Sequence, residues 1–158
     1  MIAKPNEERA ERALHLSRHF DAPREIIFRA WTDPSWLVRW MGPQQCTCPH
    51  AEADLHVGGA LKIAIRNAEG KDHWAQGVYQ VIEPPARLAF TWRWDQKDGS
   101  LGAEMLIEIE FLDRDGGTEM VFTQTRFPTE DSREQHEGGW NSSFESLAAA
   151  LNELRSEK

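Results

Sequence analysis

Asp21-Ala-Pro-Arg-Glu-Ile-Ile-Phe-Arg-Ala-Trp-Thr-Asp-Pro-Ser-Trp-Leu-Val-Arg-Trp-Met-Gly-Pro43 is the stretch whose reading decides the fold. It holds two helix starts, Asp21/Pro23 and Asp33/Pro34, each an Asp shortly before a Pro. That order sets a capping carboxylate ahead of a pre-organised first turn. The expected helices run near 23–31 and 34–40, and Gly42-Pro43 stops the second. Trp31, Trp36 and Trp40 lie along them with Ile27, Phe28 and Leu37. Two short helices this rich in aromatic residues cannot bury their apolar faces on each other alone. They need a large partner, and the flanking sequence supplies one.

Before the pair, Leu14, Leu16, Arg18 and Phe20 alternate as a half-buried strand does, after a charged lead-in at 1–11 expected to be flexible or helical. After Pro43 the period changes to two. Ala51, Ala53, Leu55 and Val57 alternate up to Gly58-Gly59, a pair suited to a tight turn with positive φ. Leu61, Ile63 and Ile65 follow, then Ala75, Gly77, Tyr79 and Val81 up to Pro84-Pro85. Leu88, Phe90, Trp92 and Trp94 come next. Met105, Ile107, Ile109 and Phe111 lead to Met120, Phe122 and Gln124. About seven short strands with turn signals between them make an antiparallel meander. Its other face carries Lys62, Arg93, Glu104, Glu108 and Glu110, so only one side wants a cover.

The cover is the last segment. Thr129 is placed to cap a helix opening with Glu130 and Asp131. Trp140, Phe144, Leu147, Leu151 and Leu154 then form one apolar stripe. Gly138-Gly139 interrupts it, and each Gly costs about 1 kcal/mol against Ala in a helix interior. Either the helix bends there, or it leaves room for something beside it. The expected α+β domain, 12–158, is a curved antiparallel sheet of six to seven strands wrapped around the long final helix. Two short helices follow the first strand, and a groove lies between sheet and helix.

The 158 residues suit one domain that buries roughly two-thirds of its unfolded surface. A net charge of −8 without a basic cluster argues against nucleic acid and against an anionic membrane surface as partners. No apolar run reaches membrane-spanning length, and the charged N-terminus does not read as a secretory signal. Cys46 and Cys48, two apart on an extended segment, do not form a disulfide framework or a metal knuckle. A cytoplasmic location is expected.

Catalytic and cofactor signals are weak. His15 and His19 stand four apart on one strand, about 13 Å between Cα atoms, and cannot share an ion unaided. His50, His56, His73 and His136 are scattered, so no metal or other cofactor is expected. Ser142 and Ser143 follow Trp140 without a nucleophile elbow, and Ser143 is expected to bond back to its own helix. No glycine-rich nucleotide-binding loop occurs. The inward-facing side chains remain as candidates for a ligand site. They are Ile63, Tyr79, Phe90, Trp92, Trp94, Met105, Ile107, Met120, Phe122, Gln124, Trp140, Ser143 and Phe144. Core packing is the plain role for most of them, but an apolar groove with a few convergent polar groups is the usual form of a small-molecule site.

The chain resembles the START-like, or SRPBCC, superfamily with its helix-grip (birch-pollen-allergen-like) fold. More closely it resembles the family of activators of the heat-shock protein 90 ATPase. The carrying residues are Phe20-Asp-Ala-Pro-Arg-Glu25, Phe28-Arg-Ala-Trp-Thr-Asp-Pro34, Trp40, Gly42-Pro43, Asp54-Leu-His-Val-Gly-Gly59, Gly77-Val-Tyr79, Pro84-Pro85-Ala-Arg-Leu88, Phe90-Thr-Trp92, Gly117-Thr-Glu-Met120, Gly138-Gly-Trp140 and Leu147. The resemblance spans about 14–155. It implies the fold directly and the function only broadly, since relatives include lipid and sterol carriers, cyclases and co-chaperone domains. Binding of a small hydrophobic or aromatic ligand in the groove is the first function implied. A chaperone-ATPase partner is the second, although the full co-chaperone has a further N-terminal domain and linker, and here the first strand is expected by about residue 13. The third is a cyclase- or hydrolase-like enzyme using Tyr79, Gln124 or His73. Many members carry His where this chain has Gln124, so a titratable group is not supplied at that point. The expected assembly is a monomer or a homodimer.

Overall fold

Strand β1, Leu14–Phe20, keeps Leu14 and Phe20 buried while His15 and His19 face solvent, as the alternation requires. The coordinates, a computed structural model, describe residues 13–156; the lead-in expected at 1–11 lies outside the described residues. Helix α1 spans Arg24–Thr32 and helix α2 spans Pro34–Trp40. The two starts differ. Asp33 caps α2 by accepting the Ser35 N–H at 2.9 Å, with Pro34 in the first turn. Asp21 does not cap α1: Pro23 occupies the cap position, and no side chain bonds there. The carbonyl of Pro23 instead accepts from the N–H groups of Ile26 and Ile27.

The remaining strands are β2 Thr47–Ala53, β3 Ala60–Arg66, β4 Asp72–Glu83, β5 Arg87–Trp94, β6 Met105–Arg114 and β7 Gly117–Thr125. They pair antiparallel throughout in the order β1-β7-β6-β5-β4-β3-β2, so only β1 closes out of sequence, against β7. Helix α3, Glu130–Ser156, runs unbroken through Gly138-Gly139 and starts where Thr129 Oγ1 accepts the Ser132 N–H at 3.0 Å. It presents Trp140, Phe144, Leu147 and Leu151 to the core. The Leu154 side chain lies outside the described residues. This is the helix-grip fold expected from the resemblance.

Two details of the strand reading need correction. The alternation through Leu55 and Val57 is not strand: β2 ends at Ala53, and both side chains stand exposed in the connection to β3. Val81 also does not continue the inward row of Ala75 and Tyr79. A register shift between Tyr79 and Val81 inserts one residue, and Ile82 packs on the core in its place. Beside this bulge, a Cβ on Gly77 would sit 1.8 Å from the Thr91 carbonyl oxygen, so only glycine fits where β4 crosses β5 this closely. The bend contributes to the curvature that lets the sheet reach around α3.

The helix pair reaches into the centre of the groove. α1 packs over β6 and β7, and α2 bridges from edge strand β2 to α3. Trp31 lies at the centre, with ring centroids 4.8 Å from Trp40, 5.7 Å from Trp140 and 6.1 Å from both Phe122 and Phe144. Its indole N–H points to the Met120 sulfur at 3.3 Å. Trp40 latches the pair by donating to the Ala30 carbonyl at 2.8 Å. This end of the groove is thereby filled.

Candidate functional site

What the helix pair leaves unfilled is a cleft of about 510 Å³ at the other end of the groove. The reason is local. Gly42, with φ of 111°, turns the chain away after α2, and Pro43 and Cys46 follow the rim instead of entering the core. The loop is held there by the Gln44 N–H, which donates to Ser142 Oγ on α3 at 2.7 Å. Across from it, Gly139 presents no side chain to the cleft; a Cβ there would meet nothing closer than Pro43 Cγ at 3.8 Å. Gly138 faces open space. The two glycines therefore do different things. Gly139 leaves room in the cleft, and the helix does not break.

One wall is aromatic: Trp92 and Trp94 from β5, and Trp140 from α3. Met41 and Ile65 complete its apolar part. The rim is polar and comes from four separate segments. Asn67 follows β3, His73 starts β4, Asp95 and Gln96 follow β5, and Ser132, Gln135 and His136 belong to the first turns of α3.

His136 is the best-defined polar group of the cleft. Its Nε2 lies 3.0 Å from the Trp94 indole nitrogen, and its Nδ1 lies 2.7 Å from the Ser132 carbonyl oxygen. An indole N–H can only donate, so Nε2 accepts, the hydrogen sits on Nδ1, and that N–H donates to Ser132. Burial pushes the pKa below its ordinary 6.5, with the bond to Ser132 opposing. The imidazole is neutral at pH 7, and both nitrogens are occupied. It props Trp94 against α3.

Of the thirteen residues singled out from sequence, Trp92, Trp94, Trp140 and Ser143 line this cleft. Ser143 donates back to the Gly139 carbonyl at 2.9 Å, as expected. Ile63, Tyr79, Phe90, Met105, Ile107, Met120, Phe122, Gln124 and Phe144 are buried in the core beyond it. Gln124 is fully enclosed; its Oε1 accepts the Trp140 indole N–H at 2.8 Å, and its amide points to the Met105 sulfur at 3.4 Å. The Tyr79 hydroxyl and the Trp92 indole N–H, both in the core, have no hydrogen-bond partner among the described residues. Burial drives the Tyr79 phenol up to about 12, so it stays protonated throughout the physiological range.

Sequence reasoning missed most of the rim. Asn67, Gln96 and Gln135 have no motif in common, and only the sheet's curl brings them together. The signal that was available is Gly139, a costly residue in a helix interior facing an aromatic wall. Elsewhere, Cys48 is buried and pushed up to about 11, and Cys46 is a free half-buried thiol at the rim. Among the described residues no three His, Cys, Asp or Glu side chains gather to hold a metal ion. No described helix is long and apolar enough to cross a membrane.

A curled seven-stranded antiparallel sheet gripping a C-terminal helix, with a helix pair after the first strand and a cleft at one end, defines a START-like domain. The sequence profile described as "Activator of Hsp90 ATPase homolog 1-like protein" matches residues 21–152, and the chain belongs to that family. Among solved structures, a Chromobacterium violaceum protein is 30% identical with a TM-score of 0.81, covering 89% of this chain and 96% of its own. The AHSA1 protein from Silicibacter pomeroyi is 27% identical, also with a TM-score of 0.81, covering 89% and 97%. A Nitrosomonas europaea protein at 22% identity and a TM-score of 0.76, covering 91% and 96%, shares the fold. No protein of curated function matches the chain.

Proposed function

We propose that this protein binds a small hydrophobic, aromatic ligand in the cleft between the sheet and α3. The observation that carries the reading is the cleft itself. Its volume of about 510 Å³ falls within the range of small-molecule sites, roughly 300–1,000 Å³. It joins a wall of Trp92, Trp94 and Trp140 to a rim of hydrogen-bonding side chains, of which Asp95 carries a formal charge. Burial of a flat ring against Trp94, with the edges of Trp92 and Trp140 behind it, supplies the affinity, and the rim orients it.

Tryptophan emission reports directly on the wall. Titration with a library of small apolar aromatics and lipids is expected to give saturable changes in emission with the aromatics. A flat response across the library overturns the reading. Stimulation of a heat-shock protein 90 ATPase by the same preparation, with no ligand response, replaces it with the chaperone role in the family's description.

A further inference from the structure

We infer that the cleft selects uncharged fused-ring compounds carrying one hydrogen-bonding head group, and rejects both carboxylates and long acyl chains. This deepens the ligand-binding reading above and rests on it. The first argument is charge. Among the described residues no lysine or arginine lines the cleft, and Asp95 is the one formally charged residue that does. The arginines next to the rim in sequence are already engaged. Arg66 forms a two-pronged pair with Asp72 at 2.7 and 3.2 Å, and Arg133 bonds Glu130 at 2.7 Å and Glu137 at 3.2 Å. A carboxylate entering the cleft would lose water and gain no cation from its described lining, in a protein of net charge −8.

The second argument is hydrogen bonding. The side-chain amides of Gln96 and Gln135 stand at the rim with no hydrogen bond to another described residue. A primary amide offers both donor and acceptor, so the pair suits a neutral polar head. The imidazole of His136 is held neutral between Trp94 and Ser132 and adds no positive charge. The third argument is depth. Behind Trp92 and Trp140 the groove is occupied by Trp31, Phe90, Phe122 and Phe144, so a long chain has no channel to follow. Length is capped by the core, and charge by the rim.

The test compares 2-naphthamide, 2-naphthoate and palmitate by calorimetry at pH 7.5 on the wild-type chain, Gly139→Leu and Gln135→Arg. The amide is expected to bind about tenfold tighter than the carboxylate, a difference of about 1.4 kcal/mol, and palmitate is expected not to compete. Gln135→Arg, at an exposed position, exchanges one of the two rim amides for a cation and is expected to tighten 2-naphthoate about threefold while weakening 2-naphthamide. Equal or tighter binding of 2-naphthoate by the wild type, competition by palmitate, or no gain in Gln135→Arg overturns the selectivity. In those cases, loss of amide binding in Gly139→Leu still upholds the cleft as the site. Absence of binding by all three probes overturns both.

Discussion

The two ends of the groove are built from the same residue types and end in opposite states. At the closed end Trp31 enters from α1, and Phe90, Phe122, Trp140 and Phe144 pack around it. The Trp31, Trp40 and Trp140 indole N–H groups point to Met120, Ala30 and Gln124 there. At the open end the β5 row continues as Trp92 and Trp94, which meet α3 but not the helix pair. Gly42 has turned the chain aside, and Gly139 offers no side chain. The strand pattern does not distinguish core from cleft. What distinguishes them is how far the helix pair reaches along the groove.

That contrast can be broken first at its centre. Trp31→Ala is expected to cost about 3–5 kcal/mol in chemical denaturation, while Trp94→Ala, at a half-exposed wall position, is expected to cost less than half as much. Equal losses would mean that the two ends are packed alike. Gln124→Leu, which strands the Trp140 N–H in the core, is expected to cost about 1–3 kcal/mol by the same measurement.

His136 sharpens the comparison through pH. Its folded pKa lies below the ordinary 6.5, so below that value the unfolded chain takes up the proton more readily than the folded one. The stability contributed by the neutral imidazole is therefore complete above pH 6.5 and lost as pH falls through the lower, folded value. Tm measured from pH 7.5 down to 5.0 is expected to fall more steeply for the wild type than for His136→Gln, which keeps an acceptor for Trp94 without titrating. Parallel curves would remove His136 as the prop. The smallest effect is expected at Tyr79→Phe. Deleting a buried hydroxyl without a partner should leave stability within about 0.5 kcal/mol of wild type or raise it.

Much of the closed end was legible in the chain, because it follows from short-range rules. Asp33-Pro34 caps a helix, Thr129 caps another, and the alternation from Leu88 to Trp94 gives a strand with one buried face. Where the reading slipped, a longer-range constraint had won. The bulge before Val81 lies beside the close approach of Gly77 to Thr91, and Leu55 and Val57 are alternating residues with no strand beside them to face. Thirteen inward residues were legible, but not which of them the helix pair would bury. His73 was named from the sequence and does line the cleft, but the rest of the rim, Asn67, Gln96 and Gln135, was illegible for a stronger reason. Its members share no periodicity and meet only after the sheet has curled.

The central claim, that the uncovered end of the groove is a ligand site, is tested most directly at the adjacent glycines. Both substitutions raise helix propensity, by about 1 kcal/mol for Ala, but only one fills the cleft. In 2-naphthamide titrations, Gly139→Leu is expected to weaken binding at least about tenfold. Gly138→Ala is expected to bind as the wild type does, with both variants at least as stable as the parent. Wild-type affinity in a folded Gly139→Leu would contradict the account.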